Sequence, residues 1–179
     1  MNLTVWAQDE GRLGLKPVER RVWARKGVRP VARQHPRYKW LYVYAFVRPV
    51  TGEQFYLVLP SVSTPWFSLA LAEFAKHAGA GPESPVLLVL DGAGWHTAKD
   101  LVVPEGLHLL FLPPYSPQLQ PAERLWPLFR EALANRSFAD LGELETVVQA
   151  RCRWLQADQG NVRRLTHYHW WTEAESGID

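Results

Sequence analysis

The feature that most constrains the fold is the sequence PVLLVLD at residues 85–91, where an uninterrupted apolar run ends at Asp91. Such a run is typical of a strand buried on both faces, because a half-exposed strand would alternate apolar and polar residues. Strands of this kind belong to sheets that carry helices on their faces. The run therefore predicts an α/β fold in which a buried strand at 86–90 delivers an acid at its end.

The segments around this strand divide into a β-rich first third and an alternating remainder. Strands are predicted at 3–9, 39–47 and 53–59, with a further candidate at 20–25, and together they predict an antiparallel meander. After the meander, the pattern predicts a helix from Pro65 to Gly79, the buried strand, a short helix at 96–102 and a strand at 107–112. Two further helices follow. The first begins at Pro121 and breaks near Trp126, and the second runs from the capping residues Ser137 and Asp140 to about 157. This order predicts one domain over 1–179, with a mixed sheet flanked by helices.

The composition excludes several classes of protein. Hydrophobic residues make up 47% of the chain and charged residues 21%, which is typical of a folded domain and not of a disordered one. No apolar run approaches the roughly 20 residues that a membrane-spanning helix needs, and the N-terminus has no signal-peptide pattern. The single cysteine, Cys152, cannot form an internal disulfide. We therefore expect a cytoplasmic protein without a membrane partner.

Positive charge is concentrated in residues 12–39. This segment holds ten basic residues and one acid, a net charge of +9, whereas the rest of the chain sums to −7. A basic stretch of this density favours a polyanionic partner such as nucleic acid. An arginine-rich, solvated hairpin without any partner is the alternative that charge alone leaves open.

Three acids stand where chemistry is commonly found in α/β folds. Asp9 and Asp91 end predicted strands, and binding sites gather at the carboxyl ends of strands. Glu123 follows a proline-rich loop at the start of a helix. Its simplest structural role there is that of an acid in the first turn, which stabilises the helix through the helix dipole. Any one of the three could be a cap or turn residue. If all three converge, their mutual repulsion calls for hard divalent cations, which take oxygen ligands.

Five stretches resemble one family, and they occur in that family's order. The most specific is LPPYSPQLQPAERLW at 112–126, and the others are VWAQDEGRLGL, WARKGVRP, VLLVLDGAGWH and SFADLGELE. Together they are similar to the DDE-type transposases of bacterial insertion sequences related to the Tc/mariner superfamily, the DDE superendonucleases. The sequence departs from the family pattern at Gly92, Gln118 and Gln120, none of which is a proposed metal ligand.

The resemblance implies a ribonuclease H-like fold with a mixed five-stranded sheet. It also implies that Asp9, Asp91 and Glu123 are the catalytic residues and bind two Mg²⁺ ions, for which Mn²⁺ substitutes. The expected reaction is DNA strand cleavage and strand transfer during transposition. Relatives carry a helix-turn-helix part before the first acid, whereas Asp9 lies close to Met1 here. We therefore expect that part to be absent from this chain, with a separately encoded DNA-binding protein as one alternative.

The expected partners are DNA, as transposon ends and target, and a second copy of the chain in a homodimer, in a bacterial cytoplasm at the nucleoid. Alternatives are a ribonuclease H-like nuclease that cuts without joining, or a truncated or domesticated remnant that binds DNA without catalysis. The residues expected to contact DNA are Arg12, Arg20, Arg21, Arg25, Lys26, Arg29, His96, Tyr115 and Arg124.

Overall fold

The computed structural model describes residues 3–28, 31 and 37–171, and its centre is a single sheet of five strands. These are β1 (Thr4–Gly14), β2 (Trp40–Arg48), β3 (Glu53–Leu59), β4 (Val86–Leu90) and β5 (Leu107–Phe111). Their order across the sheet is β3-β2-β1-β4-β5. The first three strands form an antiparallel meander, and β4 and β5 run parallel to β1. This is the mixed sheet that the sequence predicted for a ribonuclease H-like fold.

Helices cover both faces of the sheet. They are α1 (Thr64–Ala78), α2 (Trp126–Leu133), α3 (Leu141–Ala157) and α4 (Gln159–Thr166), and 3₁₀ turns at Pro117–Leu119 and Pro121–Leu125 precede α2. On one face α1 packs its aromatic residues Phe67 and Phe74 against the sheet. On the other face α2, α3 and α4 bury Phe129, Val148 and Val162 against it. None of the helices in the described residues is long and apolar enough to cross a membrane.

The side chains of β1 alternate between these two layers. Trp6 belongs to the layer under α1, whereas Ala7 belongs to the layer under α2 and α3. Gly11 lies on the α2 side, and a Cβ atom there would overlap the indole ring of Trp126. The absence of a side chain at Gly11 therefore allows the start of α2 to approach β1 closely, which glycine alone permits.

Two predicted elements are absent from the described structure. Residues 20–25 do not form a strand, because β1 extends to Gly14 and β2 uses both of its edges, one for β1 and one for β3. Residues 96–102 form turns instead of a helix, since the side chain of His96 points inward and Ser68 binds the backbone N–H of Val102. Residues 10–14 of β1, beyond the predicted end of that strand, also pair with β2, so the sheet does not need the separate strand predicted at 20–25.

The C-terminal helices differ in their boundaries from the prediction. The predicted break near Trp126 is confirmed, since a 3₁₀ turn ends at Leu125 and α2 begins at Trp126. The cap of α3 is Asp140, which accepts a hydrogen bond from the backbone of Glu143 at 2.9 Å, so the prediction that Ser137 takes part was wrong. No predicted element corresponds to α4, which packs closely on Gly52 after β2.

Replacing Gly11 with alanine is expected to lower the free energy of unfolding by about 1–3 kcal/mol, because the new Cβ would push Trp126 away from β1. Urea denaturation of the variant and the wild type measures this difference. Gly94→Ala is the matched control, because a Cβ at Gly94 meets no atom within 4 Å. Equal decreases in the free energy of unfolding of both variants would show that the packing of Trp126 on β1 does not require glycine at position 11.

Candidate active site

Asp9 is the central residue of β1 and is held by two hydrogen bonds; the prediction that it ends its strand was wrong, because β1 stays paired with β2 as far as Gly14. The indole N–H of Trp126 donates to one carboxylate oxygen at 2.7 Å, and the backbone N–H of Glu10 donates to the other at 2.9 Å. Burial raises the pKa of Asp9 to about 7, aided by the negative charges of Glu123 and Glu10 and opposed by the hydrogen bond from Trp126. In the absence of a compensating positive charge, the site therefore makes the charged form of Asp9 less stable than it is in water.

Asp91 follows β4 directly and lies level with Asp9 across the sheet. Ala7 of β1 pairs with Val89 of the parallel β4, and each acid stands two positions beyond its member of this pair. The carboxylate of Asp91 accepts hydrogen bonds from the backbone N–H of Ala93 at 3.1 Å and from Nδ1 of His96 at 2.8 Å. The bond from His96 is the main cause that lowers the pKa of Asp91. The two neighbouring acids thus have opposite pKa shifts.

His96 connects Asp91 to a second carboxylate beneath it. Its Nε2 lies 2.8 Å from an oxygen of Glu10, and its Nδ1 faces the side chain and the carbonyl oxygen of Asp91. Burial opposes a charged imidazole, but the hydrogen bonds to Asp91 and Glu10 outweigh it and raise the pKa of His96 to about 9. The side chain of His96 is fully buried and offers no exposed surface for the predicted contact with DNA, and its partners are the two acids.

Glu123 is brought to the same edge of the sheet by the proline-rich loop. Gln120 anchors the 3₁₀ turn that carries Glu123, since its side-chain amide donates to the carbonyl oxygen of Gln8 in β1 at 2.8 Å. Burial raises the pKa of Glu123, the charge of Arg130 lowers it, and the charge of Asp91 raises it. These couplings place Glu123 within electrostatic reach of Asp91.

The three acids line one cleft of about 380 Å³. Its other wall is the loop from Leu112 to Pro117, where Tyr115 is fully exposed with a left-handed backbone (φ 57°). In residues 3–28, 31 and 37–171 no group of three or more His, Cys, Asp or Glu side chains is close enough together to hold a metal ion. The cleft therefore gathers the acids at one opening without closing them around a central point.

The other predicted DNA-contact residues occupy varied surroundings. The side chains of Arg12, Arg20, Arg21, Arg25 and Lys26 are exposed, and Arg29 lies outside the described residues. Arg124 is also exposed, but its Nε donates to the hydroxyl of Tyr168 at 2.9 Å. Among the described residues, these basic side chains are thus accessible to a partner, whereas His96 is buried.

Sequence reasoning missed the residues that hold the acids in place. The hydrogen bond of Trp126 to Asp9 has no sequence signal beyond its position three residues after Glu123. Glu10 follows Asp9 in the same strand, so its side chain faces the other side of β1, where it meets His96. Gln120 appeared only as a departure from the family pattern, although it anchors the turn before Glu123.

The comparisons with known proteins agree with this geometry. The profile of the DDE superfamily endonucleases matches residues 4–145, so the chain belongs to this family. An uncharacterized protein of Sinorhizobium fredii, y4pE/y4sA, is 39% identical over 108 residues, which cover 60% of this chain and 78% of that protein. The family resemblance seen in the sequence is therefore confirmed.

Solved structures with a similar fold include those of the Mos1 mariner transposase. The Mos1 paired end complex with Mn matches with a TM-score of 0.68 and 20% identity, over 91% of this chain and 51% of that one. The catalytic domain of Mos1 matches with a TM-score of 0.61 and 18% identity, over 91% and 75%. At these identities the likeness confirms the fold, and the chain spans about half the length of the Mos1 chains in the complexes.

The raised pKa of Asp9 predicts a pH-dependent contribution to stability in EDTA. The folded protein binds this proton more tightly than the unfolded chain, so the contribution is complete below about pH 3.8 and is lost as the pH rises through about 7. The unfolding free energy of the wild type minus that of Asp9→Asn should therefore fall between pH 4 and 7, by at most about 1.4 kcal/mol per pH unit.

Chemical denaturation at several pH values measures this difference. The variant Asp100→Asn removes an exposed carboxylate from a turn and provides the control curve. A difference between wild type and Asp9→Asn that rises with pH would contradict the assignment, because Asp9 would then be stabilised in its charged form.

Proposed function

We propose that this chain is the catalytic domain of a DNA transposase, which cleaves and joins DNA strands with Asp9, Asp91 and Glu123. The main observation behind the proposal is that Asp9 in β1 and Asp91 just after the parallel strand β4 lie at the same height across the sheet. Glu123 lines the same cleft. Membership of the DDE superfamily endonucleases supports phosphodiester chemistry at this cleft. The likeness to the Mos1 transposase fold supports the choice of transposition among the reactions of that family.

The same three acids are the proposed ligands of two divalent cations, with Mg²⁺ as the natural ion and Mn²⁺ as a substitute. Their donor chemistry fits, because carboxylate oxygens are the ligands that hard divalent cations take. Burial and neighbouring carboxylates raise the pKa of Asp9 and of Glu123, so each loses stability when charged unless a cation compensates. Two solved Mos1 complexes are described as containing Mg and Mn, respectively, which supports the choice of metals.

Bound cations would activate the attacking oxygen and stabilise the leaving oxygen of a phosphodiester exchange. The chain itself supplies position. Trp126 fixes the orientation of the Asp9 carboxylate, and His96 fixes that of Asp91. Carboxylates whose orientation is restricted lose less freedom when a charge develops beside them, which is one way in which an active site lowers its barrier. The same cleft then serves water as the attacking group in cleavage and a DNA 3′-hydroxyl in joining.

The exposed basic residues are the proposed contacts to DNA phosphates. Arg12 lies beside Asp9 at the cleft, and Arg20, Arg21, Arg25 and Lys26 extend the positive surface away from it. Arg29 belongs to this proposal by its sequence, and Tyr115 is placed at the opening of the cleft. Binding through phosphates predicts an affinity that falls as salt rises. A homodimer is also proposed, since one of the similar solved structures is a paired end complex of the Mos1 transposase.

Incubation with supercoiled plasmid in Mg²⁺ or Mn²⁺ is expected to yield nicked and joined products that EDTA abolishes. Asp9→Ala, Asp91→Ala and Glu123→Ala should each reduce the rate by about 100-fold or more, because each removes a group that acts on the transition state. Agarose electrophoresis separates the products, and joined DNA distinguishes a transposase from a nuclease that only cuts.

Glu105→Ala is the matched control, because Glu105 is an exposed acid in the turn before β5. It should nick plasmid at the wild-type rate. Full activity in any of the three acid variants would remove that acid from the proposed centre. Activity that persists in EDTA would overturn the role of the metal.

A further inference from the structure

A groove of about 390 Å³ lies beside the acidic cleft and is lined by exposed basic side chains. It is formed where the end of β1, the start of β2 and helix α2 meet. No acid lines it in the part of the chain that the structure describes. Five cationic residues line this basic groove, namely Arg12, Lys16, Arg37, Lys39 and Arg130.

Aromatic side chains stand among these charges. Trp40 is 40% exposed and Tyr38 is 80% exposed, and both line the basic groove. The guanidinium group of Arg12 lies over the Trp40 ring at 4.8 Å from its centroid. A positive groove interleaved with exposed rings is the arrangement that binds single-stranded nucleic acid, because phosphates meet the cations and bases stack on the rings.

The basic groove adjoins the acidic centre. Arg12, Leu13 and Arg130 also line a smaller cleft whose other walls include Asp9 and Glu123. Arg130 is close enough to Glu123 to influence its ionisation. A chain of phosphates that passes the acids can therefore continue past Arg12 and Arg130 without crossing other acidic residues of the groove wall.

We propose that the basic groove binds a single DNA strand that is continuous with the phosphodiester at Asp9 and Glu123. This inference rests on the proposed function, because it takes DNA as the substrate of the centre. A cleft of about 390 Å³ has the size of a small-ligand site, which suits a nucleotide of one strand and not the body of a duplex. The strand contacts are phosphates at Lys39 and Arg130 and a stacked base at Tyr38.

The basic groove has a different role from residues 20–26, the protruding basic segment. That segment is exposed throughout and lines none of the clefts near the acids, so it offers charge without a shaped cavity. Charge alone attracts duplex and single-stranded DNA alike. The basic groove is therefore expected to add a preference for DNA that carries an unpaired strand.

The test compares two fluorescent DNAs in EDTA, one a blunt duplex and the other the same duplex with a single-stranded tail. Fluorescence anisotropy over a salt series gives the affinity for each, and no cleavage is needed. Wild type should bind the tailed DNA more tightly. The double variant Lys39→Gln/Arg130→Gln should lose this preference, and its salt slope on tailed DNA should fall by about 1.4, or 0.7 for each lost contact to a single strand.

The matched control is Arg20→Gln/Arg21→Gln, which removes the same charge from the protruding segment. It should weaken binding of both DNAs while the preference for the tail remains. Tyr38→Leu should lower the affinity for tailed DNA by about fivefold or more and leave the blunt duplex unaffected, because it removes one stacking platform. Circular dichroism melting of every variant confirms that it is folded.

The proposal is overturned if the variants of the basic groove keep the preference for the tail, if the control variant loses it, or if wild type shows none. These outcomes are independent of the plasmid assay. A wild type that prefers the tail but never nicks plasmid would contradict the proposed function and leave the basic groove in place as a strand-binding site. A wild type that nicks plasmid without any preference for the tail would support the proposed function and contradict the role of the basic groove as a strand-binding site.

Discussion

The hydrogen bond from Trp126 to Asp9 is the contact on which the arrangement of the site depends. It joins β1 to the first residue of α2 at 2.7 Å, across a space that Gly11 leaves open. Trp126 directly follows the 3₁₀ turn that carries Glu123, so the bond that orients Asp9 also holds that turn against the sheet. Gln120 makes a second tie from the same turn to β1.

Asp9 and Asp91 have different surroundings because each side of β1 faces a different layer. Asp9 lies on the α2 side, where burial and neighbouring carboxylates raise its pKa. Asp91 is bonded to His96, which reaches it from the α1 side together with Glu10, and its pKa is lowered. A cation that enters the cleft would meet one carboxylate that is stabilised in its charged form and a second whose unfavourable charge the cation would compensate.

Charge is also distributed in a way that suits a polyanionic substrate. The acids are confined to one edge of the sheet, and exposed arginines and lysines surround them along β1 and α2. A divalent cation is needed to bring a phosphate next to the carboxylates, whereas the basic residues attract the rest of the strand. The family membership of the chain and its geometry therefore lead to the same kind of substrate.

Much of the fold was predictable because strand signals are local. The apolar run at 86–90 and the meander over 39–59 were placed correctly. The false strand at 20–25 had acceptable local sequence, but the sheet offers it no free edge. Helix α4 was missed because its packing on Gly52 is a long-range contact.

The candidate site was predictable only as a set of acids. Asp9, Asp91 and Glu123 carry motif and strand-end signals, whereas Trp126 and Gln120 act through bonds to residues more than a hundred positions away. His96 looked like a phosphate contact because it follows Asp91 in a turn. Its burial against Glu10 depends on the path of the chain under α1, which no local pattern encodes.

The most direct test of the account is to soak crystals of the protein in Mn²⁺ and locate the ions by their anomalous scattering. The account predicts peaks in the cleft between β1, the end of β4 and the turn before α2, with Asp9, Asp91 and Glu123 as ligands. Loss of these peaks in Asp91→Ala crystals would support the assignment. Ions bound only elsewhere on the protein, or none at all at saturating Mn²⁺, would contradict a cation centre built from these three acids.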